Sequence, residues 1–277
     1  MTALARSTPA IDCDGIGRLA TGCLKLEIAT YPKPGLVSPV DTGAHDDMDA
    51  AMMDRSAETL EPFFARLADA GAAGAGMDRL RAIGIEAEVA MMAATGGVNT
   101  HRGAIFGMGL LCAAAGFHAQ YGMPGTLGTI VAHRWGAEIV HGPVALHSHG
   151  STVARRHASG GARMEAATGF PALYEIALPA LAEGRRLTAD AEAGRVHALM
   201  ALIAAVEDTN LLYRGGLDGL AFARTEATDF LAAGSVGTDD WRPRAIAIHD
   251  AFTARRLSPG GCADLLAMAL FAAVHDV

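Results

Sequence analysis

The chain has 277 residues, with 30 Asp and Glu against 22 Lys and Arg, a formal net charge of −8, and a composition that is 51% apolar but only 5% aromatic. A chain of this length can bury one large core, and its negative balance excludes a global basic field for capturing nucleic acid while leaving individual arginines able to hold phosphates. Abundant alanine and scarce aromatic residues favour closely packed helices over strands, so the expected fold is all-α: a single compact multi-helix domain over 1–277, with its helical core at about 13–273.

In chain order, the first amphipathic helix is expected over 13–30, stopped by Tyr31-Pro32-Lys33-Pro34-Gly35. A second is expected from near Thr42 through Asp54, and a third over 56–70, where Leu60, Phe63, Phe64 and Leu67 recur at near-helical spacing before the glycine-rich stretch 71–76. A helix over 82–94 runs to a break at Gly96-Gly97. The clearest remaining helices are 105–115, 127–139, 195–206, 244–254 and 263–273. The stretch near 184–190 is a weak boundary, because apolar helices flank it.

The apolar run 105–115 follows His101-Arg102 and ends at Gly116-Phe117-His118, which suits a buried helix better than a membrane span. Met1–Ala10 lacks a charged start followed by a long apolar core, so no export signal is expected. Cys13, Cys23, Cys112 and Cys262 are scattered without C-x-x-C spacing, as in a reduced compartment. A soluble cytoplasmic protein is expected, with no membrane partner, and a homo-oligomer is compatible with the sequence.

Neither G-x-x-x-x-G-K-[ST] nor a G-x-G-x-x-G in strand–turn–helix context is present, nor H-E-x-x-H, nor an EF-hand loop. The chemistry-bearing residues instead sit beside glycines in three otherwise helical regions. The first is Tyr31–Asp49. Lys33 lies between prolines that restrict its backbone, so its ammonium can meet a phosphate, although a solvated turn lysine has the same pattern. Asp41 or Thr42 can cap the next helix, and His45 and Asp49 then share a face on which Asp46 with Asp49, or Asp47, can hold hydrated Mg²⁺. Simple helix capping is the alternative.

The second region combines Glu86-x-Glu88 with Thr95-Gly-Gly-Val-Asn-Thr-His-Arg-Gly103. Glu86 and Glu88 cannot share one ideal helical face, so only one need point into a cleft; Glu86 is favoured, with Glu88 left to cap a cation or form a salt bridge outside. Asn99 can cap a helix or orient a sugar, and Thr100 can donate a hydroxyl. His101 can bind phosphate or exchange a proton with a leaving heterocycle, and the fork of Arg102 suits a phosphate.

The third region is Glu207-Asp-Thr-Asn210 with Tyr213-Arg-Gly-Gly216. Asn210 and Arg214 lie one turn apart, and Glu207 or Asp208 can hold Mg²⁺ or accept a proton; ordinary intrahelical pairing is the counter-reading. Ser258 before Pro259-Gly260-Gly261 reads as the cap of a helix with Asp264 in its early turns. His133, His141, His147 and His149 fit packing or solvent contacts better than zinc, and Met91, Met92 and Met108 read as core.

Pro32–Val37, Gly43–Asp49, Thr95–Phe106, Asp208–Asn210 with Arg214–Gly216, and Ser258–Ala267 together resemble the triphosphoribosyl-dephospho-coenzyme A synthase family, in the family's order, over about 13–273. The resemblance implies an all-helical enzyme that joins ATP to 3′-dephospho-coenzyme A and releases adenine. It implies Mg²⁺-ATP as substrate, with Asp46, Asp49, Glu86 and Asp208 as candidate metal ligands. Lys33, Arg102 and Arg214 would contact phosphate oxygens, while Asn99, Thr100 and Asn210 would bind substrate. Glu86 or Asp208 would accept the attacking hydroxyl's proton, and His101 would protonate adenine or position phosphate. The product would reach its acyl-carrier protein indirectly, through a separate transferase. The malonate decarboxylase branch is favoured over citrate lyase by Tyr31–Pro39, while Ser38-Pro39 and Cys262 depart from commoner family forms. An ADP-ribosylglycohydrolase-like hydrolase and a non-catalytic nucleotide-binding regulator are the alternatives.

Overall fold

A computed structural model describes residues 11–143 and 161–276, and among these the secondary structure is entirely helical, as the composition predicts. The helices are α1 (Cys13–Ile28), α2 (Ala50–Ala72), α3 (Met77–Ala94), α4 (Arg102–Tyr121), α5 (Leu127–His141) and α6 (Gly161–Ala167). A π-helical turn, Ala172–Ala177, runs into α7 (Leu178–Leu187), followed by α8 (Ala191–Ala205), α9 (Thr209–Ala232), α10 (Trp241–Ala254) and α11 (Gly260–His275).

Short polar side chains set several of the helix starts. Asp12 accepts from the Gly15 amide at 2.7 Å, Asp49 from Met52 at 2.7 Å and Thr126 from Thr129 at 3.2 Å. Each satisfies an amide that the first turn leaves without a partner.

One continuous core joins the helices. At its centre α2 packs against both α1 and α4. The α2–α4 crossing is close because glycine meets backbone from both sides: a Cβ on Gly71 would lie 1.9 Å from the Ala113 carbonyl oxygen, and one on Gly116 would lie 1.9 Å from that of Ala68. Helix α4 is long and apolar enough by length and composition to cross a bilayer, yet Met108, Leu111, Cys112 and Ala113 are fully enclosed by neighbouring helices. That is the buried helix read from the sequence.

Two expected boundaries are corrected. No helix starts at Thr42: Gly43 has a φ of 54°, its amide donates to Asp41 Oδ1 at 2.9 Å, and the chain stays irregular until Asp49 caps α2. The expected segments ending at 54 and starting at 56 are one uninterrupted helix. The turn at 168–171, with Gly169 and Phe170 at φ of 88° and 60°, and the π-helical turn after it were not anticipated. A non-glycine residue in the left-handed region is uncommon; Phe170 is held there by a ring that is only 1% exposed.

Candidate active site

The N-termini of α4, α9 and α11, each carrying one of the glycine-flanked motifs, converge. Asp208 makes the central joint. Its Oδ1 accepts from the amides of Asn210 and Leu211 at 2.7 and 3.1 Å, capping α9, while its Oδ2 accepts from the Cys262 amide in the first turn of α11 at 2.8 Å. Burial raises the Asp208 carboxyl above its ordinary range, against the pull of those amides. With both oxygens engaged, the side chain acts as a tie between two helices.

Beside this joint, Asp264 of α11 lies against Gly103 in the first turn of α4, where an added Cβ would come within 2.0 Å of Asp264 Oδ2. Among the described residues Asp264 has no hydrogen-bond or ion-pair partner. Burial, then the neighbouring carboxylates of Glu27 and Asp208, push its carboxyl well above the usual range.

Asp264, Asp208 and Gly103 open onto a pocket of about 580 Å³, a volume within the range of small-molecule sites. Phe106, Met164, Phe170, Ile176, Leu265 and Met268 form its apolar walls. Glu165, Glu175 and Glu207 add carboxylates, and no Lys, Arg or His is among the described lining residues. Glu165 is itself tied down, accepting from the Ala172 amide at 2.7 Å, with its carboxyl raised chiefly by burial.

Behind the α4 N-terminus, His101 is 3% exposed. Its Nδ1 lies 2.8 Å from Ser56 Oγ, which lies 2.7 Å from Thr100 Oγ1, while the buried Nε2 has no partner. Burial, and then Lys33, lower its pKa to about 4, so the ring is neutral near pH 7. When Thr100 donates to Ser56 and Ser56 to Nδ1 the ring proton sits on Nε2; the reverse chain, Nδ1 to Ser56 and Ser56 to Thr100, satisfies the same contacts and leaves Nε2 an acceptor. His101 can therefore offer or accept a hydrogen bond at Nε2, according to its tautomer, but is a poor reservoir of a transferable proton.

Lys33 does not face solvent as a mobile phosphate hook. It is 1% exposed, and its Nζ donates to the Glu27 side chain at 2.6 Å and to the Glu27 carbonyl at 2.8 Å. Burial nonetheless lowers its pKa. The loop is fixed further by buried His249, whose Nδ1 meets the Lys33 carbonyl at 2.6 Å and whose Nε2 meets Asp41 at 3.0 Å.

The other nominated residues are dispersed around this centre. Asn99 accepts from the Arg102 amide at 3.1 Å and so supports the first turn of α4. Arg102 pairs with Glu88, the salt bridge foreseen for that glutamate. Asn210 lies beside Gly260, its Nδ2 2.9 Å from where a Cβ would be. Arg214 reaches the carbonyls of Ala44 and Arg256 at 3.1 and 3.2 Å and His45 Nδ1 at 3.2 Å, clamping two loops together. The helical path of α9 is broken at Gly216, whose φ of 62° and ψ of −158° are non-helical, so two helical segments meet there across a kink. Ser258 caps nothing; its Oγ lies 2.9 Å from His45 Nε2. His147 and His149 lie outside the described residues.

The four nominated metal ligands are not brought together. Asp46 pairs with Arg256 at 3.0 Å, Asp49 caps α2, exposed Glu86 pairs with Arg66 at 2.8 Å, and Asp208 is occupied by amides. Among the described residues no group of three or more His, Cys, Asp or Glu side chains is placed to hold a metal ion. The shared carboxylate face expected of Asp46 and Asp49 fails because no helix exists there to create it.

The family model described as CitG, ATP:dephospho-CoA triphosphoribosyl transferase, matches residues 13–277. The chain belongs to that family. Among curated relatives, a probable 2-(5″-triphosphoribosyl)-3′-dephosphocoenzyme-A synthase of Pectobacterium carotovorum is 39% identical, over 93% of this chain and 89% of its own length. The 2-(5″-triphosphoribosyl)-3′-dephosphocoenzyme-A synthase of Klebsiella pneumoniae is 37% identical, over 92% of each chain, and that of Pectobacterium atrosepticum is 39% identical, over 88% and 84%. No solved structure matches the chain significantly.

Membership makes this helical protein a transferase, and it covers all three motif-bearing helix ends. Sequence reading missed Asp264 as a site residue, although Asp264 was visible in the first turns of its helix. It also missed Glu27 and the whole wall from 161 to 176. For that wall the only local signal was Thr168-Gly-Phe-Pro171, a turn-forming tetrapeptide.

Proposed function

We propose that the protein transfers the triphosphoribosyl group of ATP to the 2′-hydroxyl of 3′-dephospho-coenzyme A and releases adenine. The observation that carries this reading is the placement of one pocket at the converging N-termini of α4, α9 and α11, within a chain whose family acts on these substrates. The pocket's apolar walls and carboxylates suit the uncharged nucleoside end of ATP. Its lining would repel a bare triphosphate, so the phosphates are directed outward. Convergent helix N-termini favour negative charge nearby, and here the Asp208 side chain meets the amides of two of them.

Mg²⁺ enters this reading as part of the substrate, neutralising the triphosphate, because the nominated protein carboxylates are engaged elsewhere. Bond cleavage falls between the ribose and adenine, since the triphosphoribosyl group moves intact. The 2′-hydroxyl oxygen forms the new bond to the ribose carbon that adenine leaves. His101, neutral and with a free Nε2, serves as a hydrogen-bond partner behind the α4 N-terminus.

The protein, ATP, Mg²⁺ and 3′-dephospho-coenzyme A should together yield adenine and the joined product by mass spectrometry. Stoichiometric ADP or AMP would overturn the proposed cleavage, and ribosyl hydrolysis without the acceptor would favour the glycohydrolase reading. We place the enzyme in the cytoplasm, supplying the malonate decarboxylase acyl-carrier protein, a branch that the Tyr31–Pro39 stretch favours. Loss of the prosthetic group from that carrier on gene deletion tests the branch; loss from a citrate lyase carrier alone would reverse it.

A further inference from the structure

Purine leaves a ribose slowly as an anion and quickly once a ring nitrogen is protonated. The site therefore needs an acid that still holds its proton at working pH. Neutral His101 is badly suited, because its pKa of about 4 leaves it already deprotonated. The pocket offers carboxyl groups in its place, and their surroundings separate them. Asp208 accepts three backbone N–H bonds and Glu165 accepts one, while Glu175 and Glu207 are exposed to water. Asp264 alone among these is half-buried in the pocket lining without a hydrogen-bond or ion-pair partner among the described residues.

Its neighbourhood is consistent from every side. Glu27 comes from α1, already paired with Lys33, and Asp208 from the turn before α9, while Cys262 lies on its own helix. Gly103 on α4 leaves the space that a Cβ would take. Phe106, Phe170 and Met268, the last one turn along the same helix, line the pocket with Asp264, as do Glu165, Glu175 and Glu207. Lys33 is bound to Glu27, and Arg224, whose charge reaches Cys262, donates to the Ala205 carbonyl. A carboxyl so placed favours its protonated form because ionising it would add charge to a partly desolvated position beside Glu27 and Asp208.

We infer that Asp264 is the general acid of the transfer, donating its proton to a ring nitrogen of the departing adenine in the pocket it shares with Gly103 and Phe106. The inference rests on the triphosphoribosyl-transfer reading. As the bond from the ribose carbon to N9 breaks, its electron pair passes to adenine and the Asp264 proton goes onto the purine. The 2′-hydroxyl oxygen bonds to the same ribose carbon and releases its proton to water. Asp264 regains a proton from solvent, so the protein ends as it began.

The test compares initial rates of adenine-base release by the full-length protein and its Asp264→Asn variant, with 3′-dephospho-coenzyme A and Mg²⁺, at about pH 6 to 9. ATP is set against 2-fluoroadenosine triphosphate, whose base departs more readily without protonation. With ATP the variant should be slower by roughly 10²-fold or more, and the deficit should shrink at least about tenfold with the fluorinated donor. The wild type should lose activity as rising pH strips the acid, and this alkaline limb should be absent from the variant. Equal deficits on both donors, or an unchanged alkaline limb, would overturn the assignment. If Asp264→Asn does not fold, Asp264→Ala with added formate replaces it: rate rescue at the acidic end supports the role, and a folded variant without rescue opposes it. Wild-type protein that releases no adenine from ATP sinks the transfer reading itself, an outcome distinct from loss in the variant alone.

Discussion

Asp208 and Asp264 lie on neighbouring helix ends, line the same pocket and both have carboxyls raised by burial, yet they are built for different work. Asp208 spends its oxygens on the amides of Asn210, Leu211 and Cys262, joining α9 to α11. Asp264 has no such partner among the described residues, and a glycine keeps space open beside it. Burial alone does not mark a reactive carboxyl. What separates the two is whether the protein has already satisfied the oxygens, because oxygens that no protein donor occupies stay available to a substrate.

The comparison breaks most readily at Gly103. Gly103→Ala places a methyl group where Asp264 Oδ2 lies within 2.0 Å, and a displacement of about 1 Å can cost roughly 10²-fold in rate. Adenine release should fall by that order while circular dichroism stays native; an unchanged rate would show that Asp264 need not be held there.

Lys33→Met tests the charge beneath the site. It leaves Glu27 buried without its partner, and breaking one side of a buried pair typically costs about 3–5 kcal/mol, which denaturant unfolding would measure. Asp208→Ala removes the carboxyl that accepts from three amide N–H groups and should cost about 2–4 kcal/mol by the same measurement. If it instead abolished turnover while leaving stability unchanged, the roles assigned to the two aspartates would be reversed.

Asp264→Asn should move stability the other way. The folded carboxyl binds its proton more tightly than the unfolded one, so wild-type stability falls as pH rises from the ordinary Asp value through the raised folded value. The Asn variant lacks this loss. Its melting temperature should exceed that of the wild type at pH 8, and the gain should vanish toward pH 4. The smallest effect is expected at Glu86. It is exposed and pairs with Arg66 at the surface, so Glu86→Gln should change stability by less than about 0.5 kcal/mol and turnover by less than about twofold.

Why Glu86 was attractive and Asp264 overlooked follows from what a linear pattern contains. On α3 the buried face is Leu80, Ile83, Ala87 and Met91, an i, i+3, i+7, i+11 series legible from spacing alone. Glu86 falls off that face, and its proximity to a glycine break said nothing about which side the break turned. Asp264 looked like an ordinary acidic residue early in a helix, where the dipole favours it. Nothing in Gly-Gly-Cys-Ala-Asp-Leu-Leu reveals that its oxygens will find no partner. The metal face proposed for Asp46 and Asp49 assumed a helix that the left-handed Gly43 prevents.

The sequence by itself determined the helical class, the buried character of α4, the glycine-marked motifs and the family they resemble, because these depend on local propensity, periodicity and residue identity. Only the tertiary structure decided that Lys33 is sealed against Glu27, that Asp208 is a tie and that Asp264 stands unpartnered at the pocket floor. Those outcomes depend on which helix ends meet and which amides reach which oxygens. They are set by packing between residues tens to hundreds of positions apart, where local pattern carries no distance.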